Sequence, residues 1–124
     1  MAEPLSDVAA IAGYHAHIYF EAARSEEAAA LRGRLAAAFP AALLGRWHER
    51  PVGPHPAAMY QLAFAAQDFA RIVPWLMLNR GALTILVHPN TEDEYADHAH
   101  HALWLGEKLP LKLDVLRKGN PTPR

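Results

Sequence analysis

Few folds satisfy the order in which hydrophobic periodicity switches between two and 3.6 residues along this chain. Residues 14–20, YHAHIYF, alternate as a strand does, with Tyr14, Ala16, Ile18 and Phe20 on one face and His15, His17 and Tyr19 on the other. RSEEAAALRGRLAAAF then spaces Ala28, Leu31, Leu35 and Ala38 as the stripe of an amphipathic helix, with Ser25 as N-cap, acidic residues in the first turn and Pro40 as the stop. ALLGRWHER and AAMYQLAFA read as two strands joined by the turn PVGPHP, the second alternating about Tyr60, Leu62 and Phe64. AQDFARIVPWLMLNRG is helical by Phe69, Ile72, Val73 and Leu76, with Pro74 either bending it or sitting within its first turns and Gly81 as the stop. ALTILVHP, rich in β-branched residues, is a fourth strand.

The order βαββαβ predicts an α+β, ferredoxin-like fold: a four-stranded antiparallel sheet with two helices on one face. Thr91 and Glu94 are spaced as a capping box for a short third helix, and LPLKLDVL alternates as a candidate fifth strand, pairing within its own subunit or with a second chain. One domain is expected over residues 1–124, with 1–12 and 117–124 as flexible tails and no internal repeat or linker.

The expected strand order is 4-1-3-2, with strands one and three parallel to each other and antiparallel to two and four. One end of the sheet would then collect His15 and His17 opening strand one, His48 closing strand two, His55 preceding strand three and His88 closing strand four. The third helix, carrying His98, His100 and His101, can fold over the same end. Facing agrees: with Leu83, Ile85 and Val87 toward the helices, His88 lies on the open side beside His17, within reach of one ion at ~2.0–2.2 Å from each nitrogen. A single H-x-H also serves as half-buried polar filling, and His98 and His101 share a helix face that His100 does not. What points to a site is the agreement of residues placed independently.

Composition narrows the chemistry. The eight histidines are dispersed rather than run together as a tag, and the absence of cysteine leaves nitrogen and oxygen as the metal ligands. A net charge of −1 provides no basic surplus for phosphates, so no nucleic acid partner is expected. No apolar run approaches the ~20 residues of a membrane span, and MAEPLSDVAA lacks the form of a signal peptide, so a cytoplasmic location and no membrane contact are expected.

HAHIYF, GRWHERPVGPHP, LTILVHPNT and DHAHHALWLGEKLPL follow in that order between Tyr14 and Leu116. In these segments the chain resembles the DOPA 4,5-dioxygenase family of aromatic ring-opening dioxygenases. The resemblance implies a small ferredoxin-like domain that uses non-haem Fe(II) to split a DOPA-like catechol beside its hydroxyls with both atoms of O₂. Such a reaction needs a redox metal that binds catechol and O₂ together, which leaves room for three protein ligands. His17, His55 and His88, from adjacent strands one, three and four, are the expected ligands. Asp97 or Glu94 is the reserve carboxylate, Glu49 falling on the wrong side if His48 faces the site. Zinc or another divalent ion can occupy the same nitrogens.

Proton transfer calls for groups that titrate near neutrality, and His15, His48 and His98 are the candidates. Arg46 is placed to pair with a substrate carboxylate, and Tyr19, on the histidine face, is a second substrate contact. Two other functions use the same features: a zinc-bound hydrolase or lyase, and a non-catalytic, ferredoxin-like dimeric ligand-binding protein. An open sheet face leaving Leu86 and Met59 uncovered predicts a homodimer. Trp104, Leu105 and Leu109 are expected to be buried, making HALWLGEKL a lid or wall over the histidines.

Overall fold

The computed structural model describes residues 5–117. The alternating run near the start forms β1 (Gly13–Phe20), the central strand, followed by α1 (Ser25–Ala38), β2 (Leu43–Leu44), β3 (Ala58–Phe64), α2 (Phe69–Asn79), β4 (Thr84–Asn90), α3 (Glu94–Ala99) and β5 (Leu103–Leu105). The strands lie in the order β2-β3-β1-β4-β5, which is the ferredoxin-like order with one strand added beyond β4.

Every pair is antiparallel, β1 with β3 included, which corrects the expected parallel pairing of strands one and three. The reason is the chain's path. α1 carries the chain back so that β2 runs along β1, and the reversal between β2 and β3 then turns β3 against β1. Tyr14 therefore lies opposite Phe64 and Phe20 opposite Ala58, so His55, just before β3, enters at the end of β1 remote from His15. The histidines do not gather at one sheet edge. They share a face.

The opposite face of the sheet forms the main core. Ala16, Ile18, Tyr60, Leu62, Ile85 and Val87 are buried against Ala28, Leu31 and Leu35 of α1 and Ile72, Val73 and Leu76 of α2. Each large apolar side chain so buried contributes roughly 1.5–3 kcal/mol. The Tyr60 hydroxyl donates to the Ala28 carbonyl at 2.8 Å, satisfying its only polar atom and tying the sheet to α1. Trp47 stacks on Tyr60, with centroids 5.6 Å apart, and Arg32 lies over the same tyrosine.

Helix ends differ from the sequence reading in instructive ways. A 3₁₀ turn at Ala22–Arg24 leads directly into α1, so Ser25 is already inside the helix and caps nothing. Phe39, not Ala38, supplies the last buried contact of that helix. Pro74 sits within α2 on its solvent side, and Gly81 follows the helix at φ 59°, a conformation that suits glycine. Asp93, rather than Thr91, caps α3 by accepting from the Ala96 amide at 3.0 Å. Thr91 instead serves the carboxylate of Asp97.

The histidine face is covered by the chain itself. Tyr19, Met59 and Leu86 form a second buried cluster under Val52, Ala57, Trp104, Leu109 and Leu111. The ground on which a homodimer was expected, an uncovered Leu86 and Met59, is therefore removed. LPLKLDVL is not the fifth strand: LWL takes the free edge of β4, Pro110 has no amide hydrogen for a ladder, and the segment ends in a 3₁₀ turn at Leu113–Leu116. Trp104 and Leu109 pack on the histidine face but stay half-buried where burial was expected, and Leu105, which is buried, turns to the helix-side core.

Of the expected tails, residues 5–12 contain a 3₁₀ turn at Val8–Ala10 capped by Asp7, and the Ala12 amide donates to the Asn90 carbonyl at 2.8 Å. Arg117 pairs with Asp114 at 2.9 Å. The rest, residues 1–4 and 118–124, lies outside the described residues. Among the described residues no helix is long and apolar enough to cross a membrane.

Candidate metal centre

Period-two alternation in β1 and β4 positions the first three rings. His15 lies directly opposite His88, and His17 stands two residues further along the same face. His55 arrives from the loop before β3, held there by its own amide on Val52 and by Pro54, whose carbonyl accepts from the Lys112 amide at 2.8 Å. His98 comes from α3, which folds back over the end of β4. These five line one cavity of about 440 Å³. His17, His55, His88 and His98 are all buried, and His15 is half-buried.

The rings are in mutual contact. His17 Nε2 and His88 Nε2 are 3.0 Å apart, the His17 and His55 centroids are 4.1 Å apart, and those of His88 and His98 are 3.9 Å apart. Two sets bring three ligand atoms within 4.8 Å of one another: His15 with His17 and His88, and His17 with His55 and His98. His17 belongs to both, and the trio expected from the sequence straddles them.

Hydrogen bonds orient the donor atoms. His88 Nδ1 is 2.8 Å from the Pro89 carbonyl, and His98 Nδ1 is 2.8 Å from the Glu94 carbonyl. A carbonyl can only accept, so each Nδ1 carries the hydrogen and each Nε2 keeps its lone pair. His55 Nδ1 is engaged with the Tyr19 hydroxyl at 2.6 Å. His17 Nδ1 is buried without a hydrogen-bond partner.

Burial keeps these rings uncharged. It is the chief cause that lowers His55 and His88 to about 3, the charge of His98 adding to it in both. His17 is driven well below its ordinary value by burial and then by His55 and His88. His15 and His98 are also lowered, first by burial, but Glu94 and Asp97 oppose the shift in both. Asp97 is itself buried, accepting from the Thr91 amide at 2.8 Å and the Thr91 hydroxyl at 2.6 Å.

These residues fit a divalent ion. Two nitrogens bound at right angles to an ion at ~2.1 Å stand ~3.0 Å apart, whereas tetrahedral angles would set them ~3.4 Å apart. The His17–His88 separation matches the first arrangement. The donors are neutral imidazoles, and the Nδ1 atoms of His55, His88 and His98 are bonded as the outer nitrogens of metal-bound histidines are, while His17 Nδ1 lacks such a partner.

Other residues named from the sequence lie elsewhere. His48 is half-buried and makes a lone bridge to Met59, lining a shallow groove with Trp47 and Arg50 rather than the histidine cavity. Arg46 is exposed and outside the cavity wall. Tyr19 does not line the cavity either; its hydroxyl meets His55 instead. Gln61 and Asn90 do line it, and the sequence reading passed over both. The signal was available: Gln61 lies between the core residues Tyr60 and Leu62 and so faces the other way, and Asn90 follows His88 by two residues.

Comparison with known proteins agrees with this architecture. The family described as Dopa 4,5-dioxygenase matches residues 14–115. A 21.2 kDa uncharacterized protein of Botryotinia fuckeliana is 39% identical over 127 aligned residues, covering 94% of this chain and 69% of that one. A DOPA 4,5-dioxygenase of Amanita muscaria is 40% identical over 108 residues, covering 81% of this chain; the match spans 47% of the Amanita protein, about half its length. A crystal structure from Nostoc punctiforme, bearing a provisional dioxygenase label, superposes with a TM-score of 0.89 at 52% identity, covering 91% of this chain and 97% of that one.

Proposed function

Because the chain belongs to the Dopa 4,5-dioxygenase family, we propose that it opens the ring of a small, DOPA-like catechol beside its hydroxyls, with both atoms of O₂, using Fe(II) held by His17, His55 and His88. The observation that carries this reading is the 3.0 Å approach of His17 Nε2 to His88 Nε2 in a cavity large enough for one aromatic ring beside them. Fe(II), when bound, supplies the open coordination positions and the redox chemistry that let a catechol react with O₂.

Electrostatics supports the division of labour. The three rings held most firmly neutral make the best ligands, since at pH 7 no proton competes with the ion. His15 and His98 differ from them in having Glu94 and Asp97 to favour their charged forms. These two are the proton carriers. His98, with Nδ1 committed to the Glu94 carbonyl, takes a catechol proton at Nε2 and returns it as the ring opens. Gln61 and Asn90 offer amides to the ring substituents, and Val52, Met59 and Leu116 give the cavity wall its apolar part. Neither His48 nor Arg46 has a part in this scheme.

The test is reconstitution. Metal-stripped protein is loaded anaerobically with Fe(II) or with Zn²⁺, and O₂ uptake is followed on a panel of catechols. Uptake of one O₂ per catechol with Fe(II) alone supports the proposal. Hydrolytic or lyase turnover with Zn²⁺ and no O₂ uptake with Fe(II) would replace it with the zinc reading.

A further inference from the structure

Tyr19 is buried in a place the proposed reaction does not use. It is 2% exposed and stands on the same face of β1 as His17, one alternate position further on, where Met59 lies opposite it on β3. Its ring is stacked on Trp104 of β5, the planes 19° apart and the centroids 6.0 Å apart, and packs in the cluster with Leu86. Clamped in this way, its hydroxyl comes within 2.6 Å of His55 Nδ1.

Two proton arrangements satisfy that contact, and they have opposite consequences. If the phenol donates to Nδ1, the neutral imidazole carries its hydrogen on Nε2 and cannot ligate there. If Nδ1–H donates to the phenol oxygen, Nε2 is free. His88 and His98 each commit Nδ1–H to a carbonyl and keep Nε2 for the cavity, so the fold repeats one device on separate elements. His55 has no carbonyl in that role. Its partner is the phenol.

We infer that Tyr19 is a positioning residue: its oxygen accepts the Nδ1 hydrogen of His55 and so fixes the tautomer and ring orientation that present Nε2 to the metal. Trp104 holds the phenol against His55 and thereby couples β5 to the metal site. The inference rests on the assignment of His55 as a ligand, and it replaces the substrate-contact role expected for Tyr19.

The experiment compares wild type, Tyr19→Phe and His55→Ala with Zn²⁺ as the probe. Affinity is measured by competition with a colorimetric chelator, imidazole tautomers by long-range ¹H–¹⁵N correlation on histidine-labelled protein, and folding by thermal melts of the metal-free forms. In zinc-loaded wild type, His55 should show a protonated Nδ1 and a metal-shifted Nε2. Tyr19→Phe keeps the ring and its stacking but leaves His55 Nδ1 without its partner, so its metal-free form should stay folded with a modestly lower melting point and bind zinc ~10–100-fold more weakly, with His55 losing its single tautomer. A Tyr19→Phe protein with wild-type zinc affinity and an unchanged His55 spectrum would overturn the inference while leaving His55 a ligand. A His55→Ala protein that binds zinc as tightly as wild type would instead remove His55 from the first shell, and the role of Tyr19 with it.

Discussion

Lowering the pH from 7 to 5 should destabilise the metal-free protein by about 4 kcal/mol through His55 and His88 alone. Both rings are depressed to about 3 in the folded chain, chiefly by burial, against 6.5 for an exposed histidine. Between those two values the unfolded chain binds protons that the folded chain refuses, so stability is complete above pH 6.5 and falls as the pH drops toward 3. At pH 5 an unfolded histidine of pKa ~6.5 gains RT ln(1 + 10^1.5), about 2 kcal/mol, and two of them about 4. That is a large part of the ~5–15 kcal/mol that holds a domain together. His17, also shifted strongly down, adds to the loss with the same sign. Urea unfolding of chelator-treated protein measures it: with an m-value of ~2 kcal/mol/M, the midpoint should fall by roughly 2 M between pH 7 and 5. Saturating zinc should move the fall to lower pH, because an ion on the lone pairs must be displaced before a proton can bind. A midpoint independent of pH over this range in the metal-free protein would mean that the rings protonate inside the fold, and the picture of a dry, neutral cluster would be wrong.

Three further outcomes test the assignment of roles. Alanine at His17, His55 or His88 should lower iron content while circular dichroism stays native, because the main core lies on the other face; alanine at His15 or His98 should leave iron in place and cut the rate by roughly 10²–10⁴-fold, and a His98 variant lacking iron would move a ligand to α3. Arg46→Ala should leave kcat/KM within about twofold of wild type, since the side chain is exposed and off the cavity; a fall of ~10-fold or more, a difference of 1.4 kcal/mol or above, would bring Arg46 back to the substrate. Asp97→Asn weakens the two bonds to Thr91 that pin α3 to the end of β4, so thermal melts should show a loss of about 1–3 kcal/mol and native proteolysis should speed up between residues 91 and 101; unchanged protection would detach Asp97 from the docking of His98.

The legible part of this protein was the part that depends on local period. Alternation told correctly which side of β1 and β4 carries His15, His17 and His88, because a pleat sends successive side chains to opposite faces whatever the strand pairs with. The sense of the β1–β3 pairing was read the wrong way round, and what rested on it shifted accordingly. His48, expected at a shared sheet end, lies instead beside Met59, opposite the Tyr19 end of β1. Arg46 lies off the cavity for a second reason. Regular β2 ends at Leu44, so facing counted through Gly45 carried no information about the residues beyond it. His55 reached the cluster by a loop whose path is set by contacts such as Lys112 to Pro54, across more than fifty residues, and no local pattern encodes that. The covering of the histidine face was hidden for the same cause: LWL and LPLKLDVL both alternate, and only competition for the edge of β4 decides between them.

Site and core are alternate residues of the same strands, which explains how so unfavourable a cluster is tolerated. Ala16 and Ile18 are fully buried toward the helices, while His17 between them is buried toward the cavity. Packing on one face therefore fixes the register that brings His15 opposite His88 and His17 opposite Gln61 on the other. A slip of one residue would exchange the two faces of β1, so the register that places the ligands is enforced by the apolar core and not by the ligands themselves. Dry, neutral imidazoles and a His17 nitrogen without a partner weaken the metal-free chain, and the acid-labile stability derived above is the measure of that cost. The same desolvation keeps a second proton off these rings at pH 7, so none competes with an ion for them. Stability given up at the histidine face is thus what makes that face ready to bind an ion, and the helix-covered core is what allows the chain to remain folded until one binds.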